Sequence, residues 1–244
     1  VTLRGMNTDL NMITSPFLYS SNVVSITKAD SGVWVLAPTS QSTFAGSISV
    51  TGGLLGLTAL GIGTLAVNLN GGGVFAYGGP LTTGSAFSMT QGVTAQFAGN
   101  NPITLTGTLV GLTGGGWNLY NSMENGAVLS IGTLLSAETT ATARTLTIRG
   151  IGSTVFTGTI ANSYAGTSAT ALDIRIATSA SVSLVGSSTF TGGVTLYQGS
   201  LILSNASANP TTSAIGAGAL TLGGGEVRSL YSLTGANALM NTVS

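Results

Sequence analysis

Apolar and polar residues alternate along most of this chain, as in Ile103-Thr104-Leu105-Thr106, Leu146-Thr147-Ile148-Arg149, Leu172-Asp173-Ile174-Arg175-Ile176 and Val194-Thr195-Leu196-Tyr197. A period of two puts every second side chain on one side of a strand, so each run predicts a short strand with one buried face. Between the runs lie turn-forming clusters such as Gly71-Gly72-Gly73, Asn100-Asn101-Pro102, Gly114-Gly115-Gly116, Gly192-Gly193 and Gly223-Gly224-Gly225. No stretch carries a helical period. Short, numerous, closely spaced strands suit a solenoid, a sandwich or a barrel. An outer-membrane barrel needs strands of about ten residues, longer than most of these runs.

Local repetition selects the solenoid, because a pattern that returns along a chain marks stacked units. Ser42-Thr43-Phe44-Ala45-Gly46-Ser47-Ile48, Thr154-Val155-Phe156-Thr157-Gly158-Thr159-Ile160 and Ser188-Thr189-Phe190-Thr191-Gly192-Gly193-Val194 align without gaps. Pro102-Ile103-Thr104-Leu105-Thr106-Gly107-Thr108-Leu109 is a looser fourth copy, with Leu in the place of Phe. Phe156 and Phe190 are 190 − 156 = 34 residues apart, whereas Phe44 and Leu105 are 105 − 44 = 61 apart, so the repeat is irregular. The expectation is a buried ladder of Phe44, Leu105, Phe156 and Phe190, with Gly46, Gly107, Gly158 and Gly192 supplying corners. Trp34 and Trp117 suit either a core or an exposed adhesive or sugar-binding position.

Val182-Ser183-Leu184-Val185-Gly186, followed by Ser188-Thr189-Phe190-Thr191-Gly192-Gly193 and Gly199-Ser200-Leu201-Ile202-Leu203, resembles the autotransporter-associated β-strand repeat of bacterial surface proteins. Trp34-Val35-Leu36, Thr43-Phe44-Ala45-Gly46 and Gly53-Leu54 resemble it nearly as well. The match is clearest in residues 31–57 and 145–244, and faint in 1–30 and 76–140. The resemblance implies an all-β, right-handed parallel β-helix exported to the bacterial surface or secreted, with no specific activity attached. Rungs of twenty-odd residues stacked about 4.8 Å apart would make roughly ten coils and a rod about 50 Å long. Leu233-Thr234-Gly235-Ala236-Asn237 reads as the opening of a further repeat. Residues 1–244 are therefore expected to form a single solenoid segment of a larger array, with open strand edges at its ends.

Composition narrows the chemistry. Charged residues are 5% of the chain, against about 25% in ordinary soluble domains. Ser, Thr and Asn take over the polar surface, and 43% hydrophobic content argues against disorder. A formal net charge of zero, with basic residues scattered, gives no electrostatic case for nucleic acid. The apolar stretch from Gly52 to Val67 is interrupted by glycines and shorter than the roughly 20 residues of a membrane-spanning helix. The chain has no histidine and no cysteine, which excludes Ser-His-Asp and Cys-His catalysis and His-based metal sites. Its acids are Asp9, Asp30, Glu124, Glu138, Asp173 and Glu226, too few and too scattered to read as a glycosidase pair. Gly61-Ile62-Gly63-Thr64-Leu65-Ala66 has dinucleotide-fingerprint spacing, but the next acid is Glu124, far beyond the ribose-binding position. No catalytic, cofactor or metal residue is expected.

From Ser31 to Met123, 93 residues pass without one Asp, Glu, Lys or Arg. An uncharged β surface lacks the repulsion that keeps chains apart. These features predict a non-catalytic extracellular or cell-surface solenoid that associates with copies of itself, end to end or laterally, into fibres or a layer. The alternative is an adhesin-type passenger that binds cells or glycans through insertions in residues 76–140 or through a displayed Trp117.

Overall fold

The computed structural model describes residues 1–17, 25–43, 46–139, 142–162, 171–204, 213–233 and 239–244. The chain winds into a parallel β-solenoid of about eight complete turns, with partial rungs beyond them. Ten coils were expected; the longest column of strands does reach ten, but eight full turns give a rod of about 40 Å rather than 50.

Strands stack in three faces. The first contains Thr2–Leu3, Ile26–Lys28, Ser47–Val50, Ala66–Leu69, Phe87–Met89, the closing parts of Ile103–Gly111 and Val128–Ser136, and Ile160–Ala161. The second runs from Asn11–Ile13 through Val33–Leu36, Leu54–Leu57, Gly73–Ala76, Thr94–Gly99, Trp117–Met123 and Arg144–Gly150. It continues through the opening parts of Leu172–Leu184 and Gly193–Leu203 to Ala219–Leu222. The third begins at Leu81–Thr83 and passes through residues 103–105, 129–131, Ser153–Phe156, 182–184 and 200–203 to Glu226–Ser229. All these ladders are parallel.

Rung length is uneven. Leu55 and Val74 are register partners across 74 − 55 = 19 residues, Trp117 and Leu146 across 146 − 117 = 29. The described part of residues 76–140, where the repeat is faint, carries rungs like the rest. Earlier in the chain, where the third face carries no strand among the described residues, Ala59–Ile62 forms one helical turn. Thr58 caps it, its hydroxyl accepting from the Gly61 N–H at 3.0 Å. The dinucleotide-like glycines therefore sit in a corner: a Cβ on Gly61 would strike the Leu36 backbone, which explains the glycine without a nucleotide.

The interior is filled by the inward residues of each rung. On the first face Ile26, Ile48, Val67, Phe87, Leu109, Leu134 and Ile160 form one buried column. Each such side chain contributes about 1.5–3 kcal/mol of burial. On the third face Leu105, Ile131, Phe156 and Leu184 form another.

That second column corrects the expected aromatic ladder. Phe156 stacks between Ile131 and Leu184, not on another ring. Phe190 is buried too, but on the following side of the solenoid, where its carbonyl accepts from Ala217 N–H at 2.8 Å. Phe44 lies outside the described residues. Among the described residues an aromatic contact inside the core joins Phe87 and Phe97, with ring centroids 6.2 Å apart.

The glycines divide in the same way. Gly46, Gly107 and Gly158 each stand two residues before a member of the first-face column, namely Ile48, Leu109 and Ile160, so they share one corner. Gly132 and Gly186 extend it: Cβ atoms on Gly158 and Gly186 would run into the carbonyls of Gly132 and Gly158. Gly192 occupies a different corner, at the entry to the second face beside Asp173. Identical Phe-Thr-Gly chemistry serves two different bends.

Candidate assembly surface

The outward residues of the first face form a flat uncharged strip. Its successive rows are Ser47, Ser49 and Thr51; Ala66, Asn68 and Asn70; Ala86, Ser88 and Thr90; Thr108, Val110 and Leu112; Thr133, Leu135 and Ala137. Alternation explains the outward direction, since the residues between them fill the core. Some hydroxyls are spent within the sheet: Thr51 Oγ1 donates to the Lys28 carbonyl at 3.2 Å, and Thr90 Oγ1 to Asn68 Oδ1 at 3.1 Å.

Toward the later rungs the strip becomes aliphatic. Val110 and Leu135 are register partners, and Leu112 and Ala137 continue the same two strands. All four are half-buried although they point away from the core. Ala66, Ala86, Thr108, Val110, Leu112 and Ala137 line a shallow groove of about 410 Å³ here. Sequence reading missed this surface, although consecutive apolar pairs, Leu109-Val110 and Leu134-Leu135, break the alternation and signal apolar residues on both sides of the sheet.

Trp117 is not a surface residue. It is 2% exposed, its ring packs against Gly111, and its N–H donates to the Leu112 carbonyl at 2.9 Å. The expectation of a displayed binding tryptophan is overturned, because the inward register of Trp117 with Leu146 places the ring in the core. Trp34 is half-buried, in register below Leu55, and its N–H donates to the Arg4 carbonyl at 3.0 Å.

The ionisable groups are spread through the rod. Lys28 is fully buried in a column with Leu3 and Val50. Its Nζ donates to the carbonyls of Ala29, Asp30 and Gly52 at 2.6, 2.9 and 2.9 Å. Burial lowers its pKa, and the Asp30 charge opposes part of that shift. Glu138 and Arg144 form a pair at 2.5 Å whose Glu side chain is 3% exposed, and Gly114 N–H adds a hydrogen bond to Oε2 at 3.1 Å. Glu226 bonds Arg228 at 2.7 Å and accepts from Ser200, and hydrogen bonds from Ser200 and Arg228 lower its pKa. The analogous Asp173 and Arg175 share a strand face without closing to 4 Å.

A second groove, about 260 Å³, lies at the corner of Glu124, Asn125, Gly126, Ile151 and Ser153, and Glu124 is the sole ionisable side chain lining it. Among the described residues no three His, Cys, Asp or Glu side chains gather, and no helix is long and apolar enough to cross a membrane. No family model, curated protein or solved structure matches this chain.

Proposed function

We propose that this chain is a non-catalytic structural solenoid that packs side by side with copies of itself into fibres or a layer outside the cell. The observation that carries the reading is the first face, an uncharged strip with an outward aliphatic cluster of Val110, Leu112, Leu135 and Ala137. A neutral flat face can be buried against its own copy without desolvating any charge. At about 35 Å by 15–20 Å it offers roughly 600 Å² per partner, less than the roughly 800 Å² of a standard stable interface. Pairing is thus weak between single copies and strong when many pair in an array. The likeness of Ser188-Thr189-Phe190-Thr191-Gly192 to autotransporter-associated repeats supports a place on a bacterial surface.

The experiment is electron microscopy with light scattering on purified protein over a concentration series. Filaments, ribbons or sheets that thicken with concentration are expected. Dispersed monomers at the highest concentration would overturn the reading.

A further inference from the structure

The chain has six Lys and Arg residues. Four are satisfied by the fold: Arg4 by Asp30 at 3.5 Å, Lys28 by three carbonyls, Arg144 by Glu138 and Arg228 by Glu226. The other two, Arg149 and Arg175, are exposed and have no carboxylate within 4 Å.

These two are neighbours on the outward side of the second face. Arg149 is in register with Ala177, two residues beyond Arg175 on the same strand, so their Cα atoms stand about 8 Å apart. Arg175 lies between Thr147 on one rung and Thr195 on the next, and Arg149 between Tyr120 and Ala177. Thr147 and Thr195 beside Arg175, and Ala177 beside Arg149, are small, and Tyr120 on the other side of Arg149 is itself exposed. Asp173 shares the rung of Arg175, on the side away from Arg149.

From this juxtaposition we infer an anion-binding subsite, Arg149 with Arg175, for an acidic polysaccharide lying along the second face. Guanidinium groups recognise carboxylate or sulfate in bidentate fashion. The outward hydroxyls of Thr147 and Thr195 and the amide of Asn118 offer partners for sugar hydroxyls, and the exposed Tyr120 ring offers an apolar platform. Nucleic acid fits worse, since its closely spaced phosphates call for more cations than two. The subsite does not depend on the first face, and a laterally packed array would multiply weak single-site binding.

The test is retention of the protein at low salt on immobilised polygalacturonate, heparin, neutral dextran and single-stranded DNA. Retention on polygalacturonate or heparin and not on dextran is expected, the stronger of the two identifying carboxylate or sulfate. R149Q/R175Q should weaken binding at least about tenfold with an unchanged melting temperature, as expected when charge-assisted hydrogen bonds at an exposed site are lost. R228Q removes a positive charge elsewhere and should leave retention unchanged, while D173N should raise it. Equal retention of R149Q/R175Q and the parent, equal weakening by R228Q, no retention on either acidic polysaccharide, or equal retention on DNA would each overturn the inference. Lateral association, read by light scattering on the same samples, fails or survives separately.

Discussion

The Trp117 ring occupies the space that a side chain at Gly111 would need: a Cβ there would lie 2.6 Å from ring carbon Cδ2 and 2.7 Å from Cζ2. The two residues sit on adjacent faces, and the Trp117–Leu112 hydrogen bond locks the ring across the corner between them. Gly111→Ala should cost about 1–3 kcal/mol by overpacking, and Trp117→Ala about 3–5 kcal/mol by leaving a cavity. Urea unfolding of the two variants checks both values; an unchanged midpoint for Trp117→Ala would contradict a core role.

Lys28 predicts an unusual alkaline response. Its folded pKa lies below its ordinary value of 10.5 because of burial. Between the two values the unfolded chain holds a proton that the folded chain has released, so stability rises with pH across that window and is lower beneath it. Lys28→Met should remove the rise, and should cost about 1–3 kcal/mol at neutral pH because three carbonyls lose their donor. Chemical unfolding from pH 7 to pH 11 distinguishes the two effects.

The glycine corner separates tolerated from forbidden methyl groups. Gly158→Ala would drive its Cβ into the Gly132 carbonyl and should cost more than about 2 kcal/mol. Gly84→Ala, lower in the same column, meets only Thr106 Oγ1 at 3.7 Å and should be neutral or stabilising by about 0.4–1 kcal/mol. Equal effects in thermal melts would mean the corner is looser than described.

On the first face, Val110→Arg and Leu135→Arg should leave the fold within about 0.5 kcal/mol of the parent, since both side chains point outward. Each should abolish lateral association at concentrations where the parent forms ribbons, because copies would then bury unpaired charges. Analytical ultracentrifugation beside a melting curve gives both readings.

The Glu138–Arg144 pair is a structural clamp on the turn at Gly114. Glu138→Gln leaves the guanidinium, 17% exposed, without its anion and should cost about 3 kcal/mol. Added salt should narrow the gap only slightly, since screening reaches buried pairs poorly.

Strand content and side-chain direction were legible from period two alone: Leu146, Ile148, Leu172, Ile174 and Ile176 are all buried, and Arg149 and Arg175 between them are exposed. The placement of repeats was only partly legible. An inward aromatic followed by a small polar residue and glycine suits more than one bend, so Phe190-Thr191-Gly192 looks like Phe156-Thr157-Gly158 although it turns a different corner. Trp117 could have been placed, because Trp117, Leu119 and Met123 keep one parity. Lys28 could not, since its three acceptors come from backbone spread over two rungs. Nor could the pairing of Arg149 beside Arg175, which depends on a rung of 177 − 149 = 28 residues.

Because the strand ladders of all three faces are parallel and the rungs stack, the backbone hydrogen bonds of these ladders point along the rod. Pulling on the two ends of such a rod loads one rung at a time, so strands peel in turn instead of shearing together. A rung of 19 residues, such as Leu55 to Val74, adds about 4.8 Å to the folded rod but spans about 65 Å when drawn out. A layer woven from these chains would therefore yield gradually under tension, dissipating work as it lengthens more than tenfold, and rewind from whichever rungs had held.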